Sequence, residues 1–176
     1  MRQLLLLRHA KSSWDDPKLP DRERKLNARG RRAAATMRRA MRELGLVPDL
    51  VLVSPARRTL ETLEALEPWD ETPLIEPIEA LYPGSAAQLL AALHGVADVV
   101  RSVLLIGHNP GLHELGVMLT GPPEKAPASD AARRLAAGFP TAALAEFTIP
   151  APWWGLEPGG GRLLRFLTPR EIEPAP

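Results

Sequence analysis

Cysteine is absent from the 176-residue chain. Disulfide staples, thiolate zinc sites and a cysteine nucleophile are therefore excluded. An excess of one charge is also lacking. The net charge is +1, which weakens any bulk electrostatic case for nucleic acid. No apolar run approaches the ~20 residues that a membrane span needs. The apolar start, Leu4 to Leu7, is too short for a signal-peptide core and runs straight into Arg8 and His9. The expected setting is the cytoplasm, with neither membrane nor nucleic acid as partner. Lysine is scarce, present only at Lys11, Lys18, Lys25 and Lys125, and arginine takes its place. Codon bias explains this better than heat adaptation, because arginine-for-lysine exchange is not a general thermophile signal.

What is present is ordinary globular material, 45% hydrophobic and 24% charged. A chain of this length buries roughly 70% of its unfolded surface, so one domain over residues 1–176 is expected. Short apolar runs at 3–7, 50–53 and 103–106 read as buried strands. Weaker strands are expected at 74–78, and at 143–149 and 163–167 as late edge pairs. Helices fit residues 28–44 after the N-cap Asn27, 56–66, a stretch from Ser85 to about Leu93, and 112–119. Residues 96–100 continue the third of these or form a further turn. Residues 11–25 and 120–130 read as loops. This alternation predicts an α/β chain: a three-layer α/β/α sandwich on a mainly parallel sheet. Ligands of such sheets sit beyond the carboxyl ends of the strands.

Three of those strand ends are polar. The first runs into Arg8-His9, the second into Ser54 with Arg57 and Arg58 just after it, the third into His108-Asn109. Parallel neighbours would gather two histidines and two or three arginines at one rim, with no obvious compensating carboxylate. Such a cluster calls for an anion, and guanidinium forks match phosphate oxygens. A histidine among arginines is held neutral by like charge, and neutral imidazole is a competent nucleophile toward phosphorus. The expected chemistry is phosphoryl transfer through a phosphohistidine.

Taken in order, Leu6-Leu7-Arg8-His9-Ala10, Ser54-Pro55-Ala56-Arg57-Arg58-Thr59-Leu60-Glu61-Thr62 and Gly107-His108-Asn109-Pro110 resemble the histidine phosphatase superfamily. The likeness is closest to the small SixA-type phosphohistidine phosphatases, through Arg8-His9-Ala10-Lys11-Ser12-Ser13-Trp14. Leu26-Asn27-Ala28-Arg29-Gly30 is similar to the family's helix start, and Pro140-Thr141 also fits. The resemblance implies a phosphoglycerate mutase-like fold with a minimal lid. It makes His9 the phosphorylated nucleophile and sets Arg8, Arg58 and His108 around the phosphoryl group, with Ser54 and Asn109 as further phosphate-binding candidates. Arg58 matches the family arginine because Thr62 lies four residues on. Arg57 is then an extra arginine facing solvent. Ala10 stands where the family usually has glycine.

Larger members protonate the leaving group with a carboxylate, for which the candidates here are Glu79 and Asp15. An imidazole leaving group has a pKa near ~6.5 and leaves without strong acid help. The expected substrate is therefore phosphohistidine on a protein such as a phosphotransfer domain. The alternatives are a metabolite phosphatase acting on a small phosphorylated substrate, and a non-catalytic phosphate-binding module. No cofactor and no metal are expected: His108 and His113 are five apart, the wrong spacing for one helical face. His94 reads as a helix-end residue. Trp153 and Trp154 read as loop packing, and Gly159-Gly160-Gly161 as a turn. Residues 22–42 carry nine basic side chains against one acidic, Glu23. They read as a solvated face, or else a docking surface for an acidic partner. The oligomeric state is not encoded in any of these patterns.

Overall fold

The computed structural model describes residues 1–122 and 128–173. Part of the expected 120–130 loop lies outside the described residues. The strands are β1 (Arg2–Arg8), β2 (Leu50–Val53), β3 (Leu74–Pro77), β4 (Ser102–Gly107), β5 (Leu144–Ile149) and β6 (Arg162–Leu167). They form one sheet in the order β3-β2-β4-β1-β5-β6. Strands β1 to β4 pair in parallel, while β5 runs antiparallel between β1 and β6. The expected late edge pair is thus half right. β6 is an edge, but β5 is interior, because its apolar residues pair with the fully buried β1.

Successive residues of the central strands point to opposite faces. Leu4, Leu6, Leu52 and Leu105 pack against α3 (Ala86–His94), α4 (Gly111–Thr120) and α5 (Asp130–Ala137). Leu5, Leu7, Val51, Val53, Leu104 and Ile106 pack against α1 (Ala28–Glu43) and α2 (Arg57–Leu66). Two apolar faces covered by helices explain why these strands read as unbroken apolar runs. Each fully buried leucine contributes on the order of 2 kcal/mol. The result is the three-layer α/β/α sandwich expected.

The α1 start follows from Asn27, whose Oδ1 accepts from the Gly30 amide at 2.7 Å. Ser85 and Gln88 form a reciprocal capping box that starts α3. Two helices escaped the periodicity reading. One is α5, capped by Ser129, whose Oγ accepts from the Ala132 amide at 3.1 Å. The other is α6 (Pro169–Ile172), capped by Thr168. Both are too short for a strong 3.6-residue signal. Residues 96–100 do not extend α3. Trp153 is fully buried and donates its Nε1–H to the Val100 carbonyl at 2.8 Å, the loop-packing role expected. Trp154 is exposed.

Candidate active site

Register brings the three signature segments together. Arg8 pairs with Gly107 across β1 and β4, and Val53 pairs with Ile106 across β2 and β4. One residue past those ends stand His9, His108 and Ser54. The His9 amide donates to the Gly107 carbonyl at 3.2 Å, and the Ser54 amide to the Ile106 carbonyl at 3.1 Å. The two imidazoles face one another with ring centroids 5.1 Å apart. They open on a cleft of about 320 Å³ lined by Arg8, His9, Lys11, Ser12, Trp14, Arg24, Arg58, His108, Asn109 and Thr141.

The proton positions follow from the partners. His9 Nδ1 lies 2.7 Å from the Ala10 carbonyl oxygen. A carbonyl only accepts, so Nδ1 carries the proton and Nε2 keeps its lone pair. Burial, and then the charges of Arg58, Arg8 and Arg24, push the His9 pKa down to about 4 against the Ala10 hydrogen bond, which raises it. The ring is neutral at pH 7. His108 is pushed down to about 3, mainly by burial and then by His9 and Arg58. Its Nε2 lies 2.7 Å from Ser54 Oγ. That oxygen also accepts from the Ala56 amide at 3.3 Å, and among the described residues its own proton is given no acceptor other than Nε2, which leaves the ring proton on Nδ1.

Arg8 donates from Nη1 to the Phe139 carbonyl at 3.0 Å, and the Asn109 amide nitrogen donates to the same oxygen at 2.9 Å. Arg58 donates from Nη1 to the Asp21 carbonyl at 2.8 Å and from Nη2 to the Asp21 carboxylate at 3.1 Å. Thr62 Oγ1 donates to the Arg58 carbonyl at 2.7 Å and accepts from the Ala10 amide at 3.0 Å. It thereby ties the arginine's helix to the histidine's loop. Arg8 Nε, Arg58 Nε and His108 Nδ1 are buried N–H groups with no acceptor in the protein. Unpartnered buried donors are costly and rare. A tetrahedral oxyanion supplies acceptors of the right charge for all three.

Asp21 corrects the expectation that no carboxylate offsets the arginines. It also accepts from Arg24 Nε at 3.1 Å and from the Tyr82 hydroxyl at 2.5 Å. The Tyr82 hydroxyl first, and after it Arg58 and Arg24, hold its carboxyl at about 2 against burial, which raises it. Its signal was hard to find, because Asp21 lies in the 11–25 loop, far in sequence from all three motifs. Arg24 on the cleft wall was missed for the same reason, while Trp14 closes the first signature stretch without a sequence pattern that marks it as part of the wall. Arg24 lies 3.5 Å over the Trp14 ring.

Three other assignments change. Ser54 is fully buried behind His108 and does not line the cleft, so its contact is with the imidazole and not with an anion. Glu79 is at the surface, held by both Nη atoms of Arg22 at 3.0 and 2.7 Å. That bond favours its ionised form, the reverse of what a proton donor needs. Asp15 is exposed, and neither carboxylate lines the cleft. Arg57 faces solvent and pairs with Glu61 at 2.8 Å, as expected. His94 and His113 donate from Nε2 to the Leu156 and Leu135 carbonyls, both at 2.7 Å. Among the described residues, no group of three or more histidine, aspartate or glutamate side chains is placed to hold a metal. No helix of these residues is long and apolar enough to cross a membrane.

Comparison with known proteins bears on the family and the fold. The sequence profile of the histidine phosphatase superfamily (branch 1) matches residues 4–79. An uncharacterized protein of Mycobacterium leprae is 30% identical over 167 residues, 93% of this chain and 100% of that protein. An uncharacterized chloroplast protein of Arabidopsis thaliana is 34% identical over 131 residues. That match takes in 68% of this chain but only 60% of the plant protein, so the chain spans less than two thirds of it. Among solved structures, the protein histidine phosphatase SixA complexed with tungstate is similar at a TM-score of 0.76. It is 25% identical, over 97% of this chain and 99% of that one. A candidate phosphohistidine phosphatase SixA from Nakamurella multipartitia gives 0.82 at 27% identity, over 96% of both chains.

Proposed function

Because this chain belongs to the histidine phosphatase superfamily, we propose that its 1–176 unit is a phosphatase whose substrate is phosphohistidine on a protein. His9 Nε2 attacks phosphorus in line with the scissile P–N bond. That bond breaks, and the substrate ring, already protonated by solvent on its far nitrogen, leaves as neutral imidazole. Water then attacks the phosphorus on His9, the His9–phosphorus bond breaks, and inorganic phosphate departs. Arg8, Arg58 and the His108 Nδ1–H hold the phosphoryl oxygens as charge builds on them. Asn109 stands beside them at the cleft wall. Thr62 and Ser54 position His9 and His108 from behind.

One observation carries the choice of substrate. Among the described residues lining the cleft there is no carboxyl group, and Asp21, which holds the cleft-lining Arg58 and Arg24, is kept ionised. An alkoxide departs poorly without a proton donor, whereas an imidazole ring, whose far nitrogen takes a proton from solvent with a pKa near ~6.5, departs readily as a neutral group. The similarity to a protein histidine phosphatase bound to tungstate, a tetrahedral oxyanion, supports the same reading.

The test is a substrate panel on purified protein, pairing a phosphohistidine peptide with alkyl phosphate monoesters. A kcat/KM at least about 100-fold higher for the peptide is expected, the size of contribution a general acid makes to ester cleavage. Faster ester hydrolysis would mark a metabolite phosphatase instead. Absence of turnover together with tight phosphate binding would mark a non-catalytic module.

A further inference from the structure

The wall of the cleft on the side of residues 11–14 continues onto the protein surface. Trp14 lines the cleft yet is 73% exposed. The indole does not swing freely, because the buried Arg24 stacks on it at 3.5 Å and is itself fixed by Asp21 and by Ser12 Oγ at 2.7 Å. An exposed aromatic ring held in place is the kind of anchor that dominates protein interfaces.

The chain segments packed beside this ring are rich in basic residues. Residues 11–32 hold eight basic groups against four acidic, Asp15, Asp16, Asp21 and Glu23, in a chain whose net charge is only +1. Lys18 is exposed in a turn apart from the others, and the structure divides the remaining seven basic groups into two sets. Arg22 and Arg24 are paired with Glu79 and Asp21, and Arg31 donates to the Leu26 carbonyl at 3.0 Å. Lys11, Lys25, Arg29 and Arg32 are exposed. Among the described residues, none of these four has a carboxylate within ion-pair distance.

The second set lies beside the cleft. The Ser13 amide donates to the Lys25 carbonyl at 2.8 Å, and the Asn27 amide to the Lys11 carbonyl at 3.0 Å. At Gly30 a Cβ would stand 2.1 Å from the Lys11 carbonyl oxygen, so the start of α1 lies directly on the cleft-lining segment. Arg29, in the first turn of α1, also opposes the helix dipole there, and that turn has no acidic residue. That local cost falls when an anionic surface approaches.

We propose that Trp14 and the ring of Lys11, Lys25, Arg29 and Arg32 form a docking surface for an acidic face of the phosphorylated protein substrate. The proposal rests on the phosphohistidine reading above and names where that substrate lands. A small phosphorylated metabolite held in the cleft needs no contact with Lys25 or Arg29, neither of which lines it. A folded protein that inserts one side chain must rest its surface on this rim. Aromatic residues to stack bases are lacking around these cations apart from Trp14, which Arg24 already covers on one face. Protein is thus favoured over single-stranded nucleic acid.

The experiment compares the intact protein with the charge-reversal variant Lys25→Glu/Arg29→Glu. The probes are an acidic phosphotransfer domain carrying phosphohistidine and, as a small control, phosphohistidine amide. Binding of the domain is measured by calorimetry in a His9→Ala background, at low and high salt. Charge reversal is expected to weaken this binding about tenfold and to remove its salt dependence. Turnover of the amide by the His9-intact variant should stay within about twofold of the wild type, since the pair lies outside the cleft. Unchanged domain binding would overturn the docking surface. So would an equal fall for domain and amide, because the charges would then act on the phosphoryl group itself. So would tight RNA binding that the reversal abolishes while domain binding survives. Failure of the wild type to cleave the amide would instead remove the phosphohistidine reading, while the binding measurement still reports on the surface.

Discussion

Acidification should unfold this protein earlier than its carboxylates require, and the site histidines are the reason. His9 is held at about 4 and His108 at about 3, whereas both titrate near ~6.5 in an unfolded chain. Between pH 6.5 and 4 the unfolded state therefore binds protons that the folded state refuses, so stability falls as the pH falls. Acidification from pH 6.5, where the unfolded ring is half protonated, to pH 4.5 removes about 2 kcal/mol for one such histidine at 1.36 kcal/mol per unit. His9 is itself a cause of the low His108 value, so the two losses overlap, and the pair together removes about 2 to 4 kcal/mol. This is a large share of the roughly 5–15 kcal/mol that holds a domain folded. Asp21, held at about 2, has the opposite dependence, but its contribution is lost only below its ordinary value of 3.8. It lies outside the window. Urea unfolding followed by circular dichroism at pH 6.5 and 4.5 measures the effect. His9→Asn should lose less than the wild type by about 1–3 kcal/mol; His94 and His113 are common to both proteins and cancel. Equal losses in the two proteins, or a flat wild-type profile, would refute the neutral-imidazole argument on which the nucleophile rests. In the same pH series, kcat/KM should hold level well below pH 6.5 and decline only as His9 gains its proton near 4.

Three other outcomes follow from particular contacts. Asp21→Asn removes the anion that orients Arg58; kcat/KM should fall about tenfold with the fold intact by circular dichroism, and Asp21→Glu should recover part of the loss. Unaltered kinetics would show that Arg58 needs no such support. Ser54→Ala frees His108 Nε2 and with it the proton on Nδ1, so vanadate affinity and kcat/KM should both drop by about tenfold, at a stability cost of about 1 kcal/mol. A stability loss with vanadate affinity preserved would leave Ser54 a purely structural residue. Gly30→Ala drives a methyl group into the Lys11 carbonyl. Thermal denaturation should show a loss of about 2–3 kcal/mol, and activity should fall as the 10–12 segment shifts.

Much of the site was legible because its chemistry sits next to strongly patterned structure. Leu4 to Leu7, Leu50 to Val53 and Val103 to Ile106 are buried on both faces, which makes them conspicuous as strands. Arg8-His9, Ser54 and His108 follow directly at their ends. The rest of the wall was not legible in that way. Asp21, Arg24 and Trp14 come from a polar, proline-punctuated stretch with no period to read, and their partners Arg58 and Tyr82 lie dozens of residues away. The carboxylate candidates failed for the same reason. Glu79 precedes Tyr82 by three residues, yet Tyr82 reaches Asp21 beside the cleft while Glu79 turns outward to Arg22. Sequence distance does not report which way a side chain leaves a short turn.

Taken alone, the order of residues determined the strand and helix alternation, the two covered sheet faces and the histidine–arginine signatures, because burial pattern and strand-end position are local properties. Only the folded chain decided which groups share a cleft, where each imidazole carries its proton and which carboxylate balances Arg58. Those depend on register between strands and on loop paths, where a shift of one residue turns a side chain from the cleft to the opposite face.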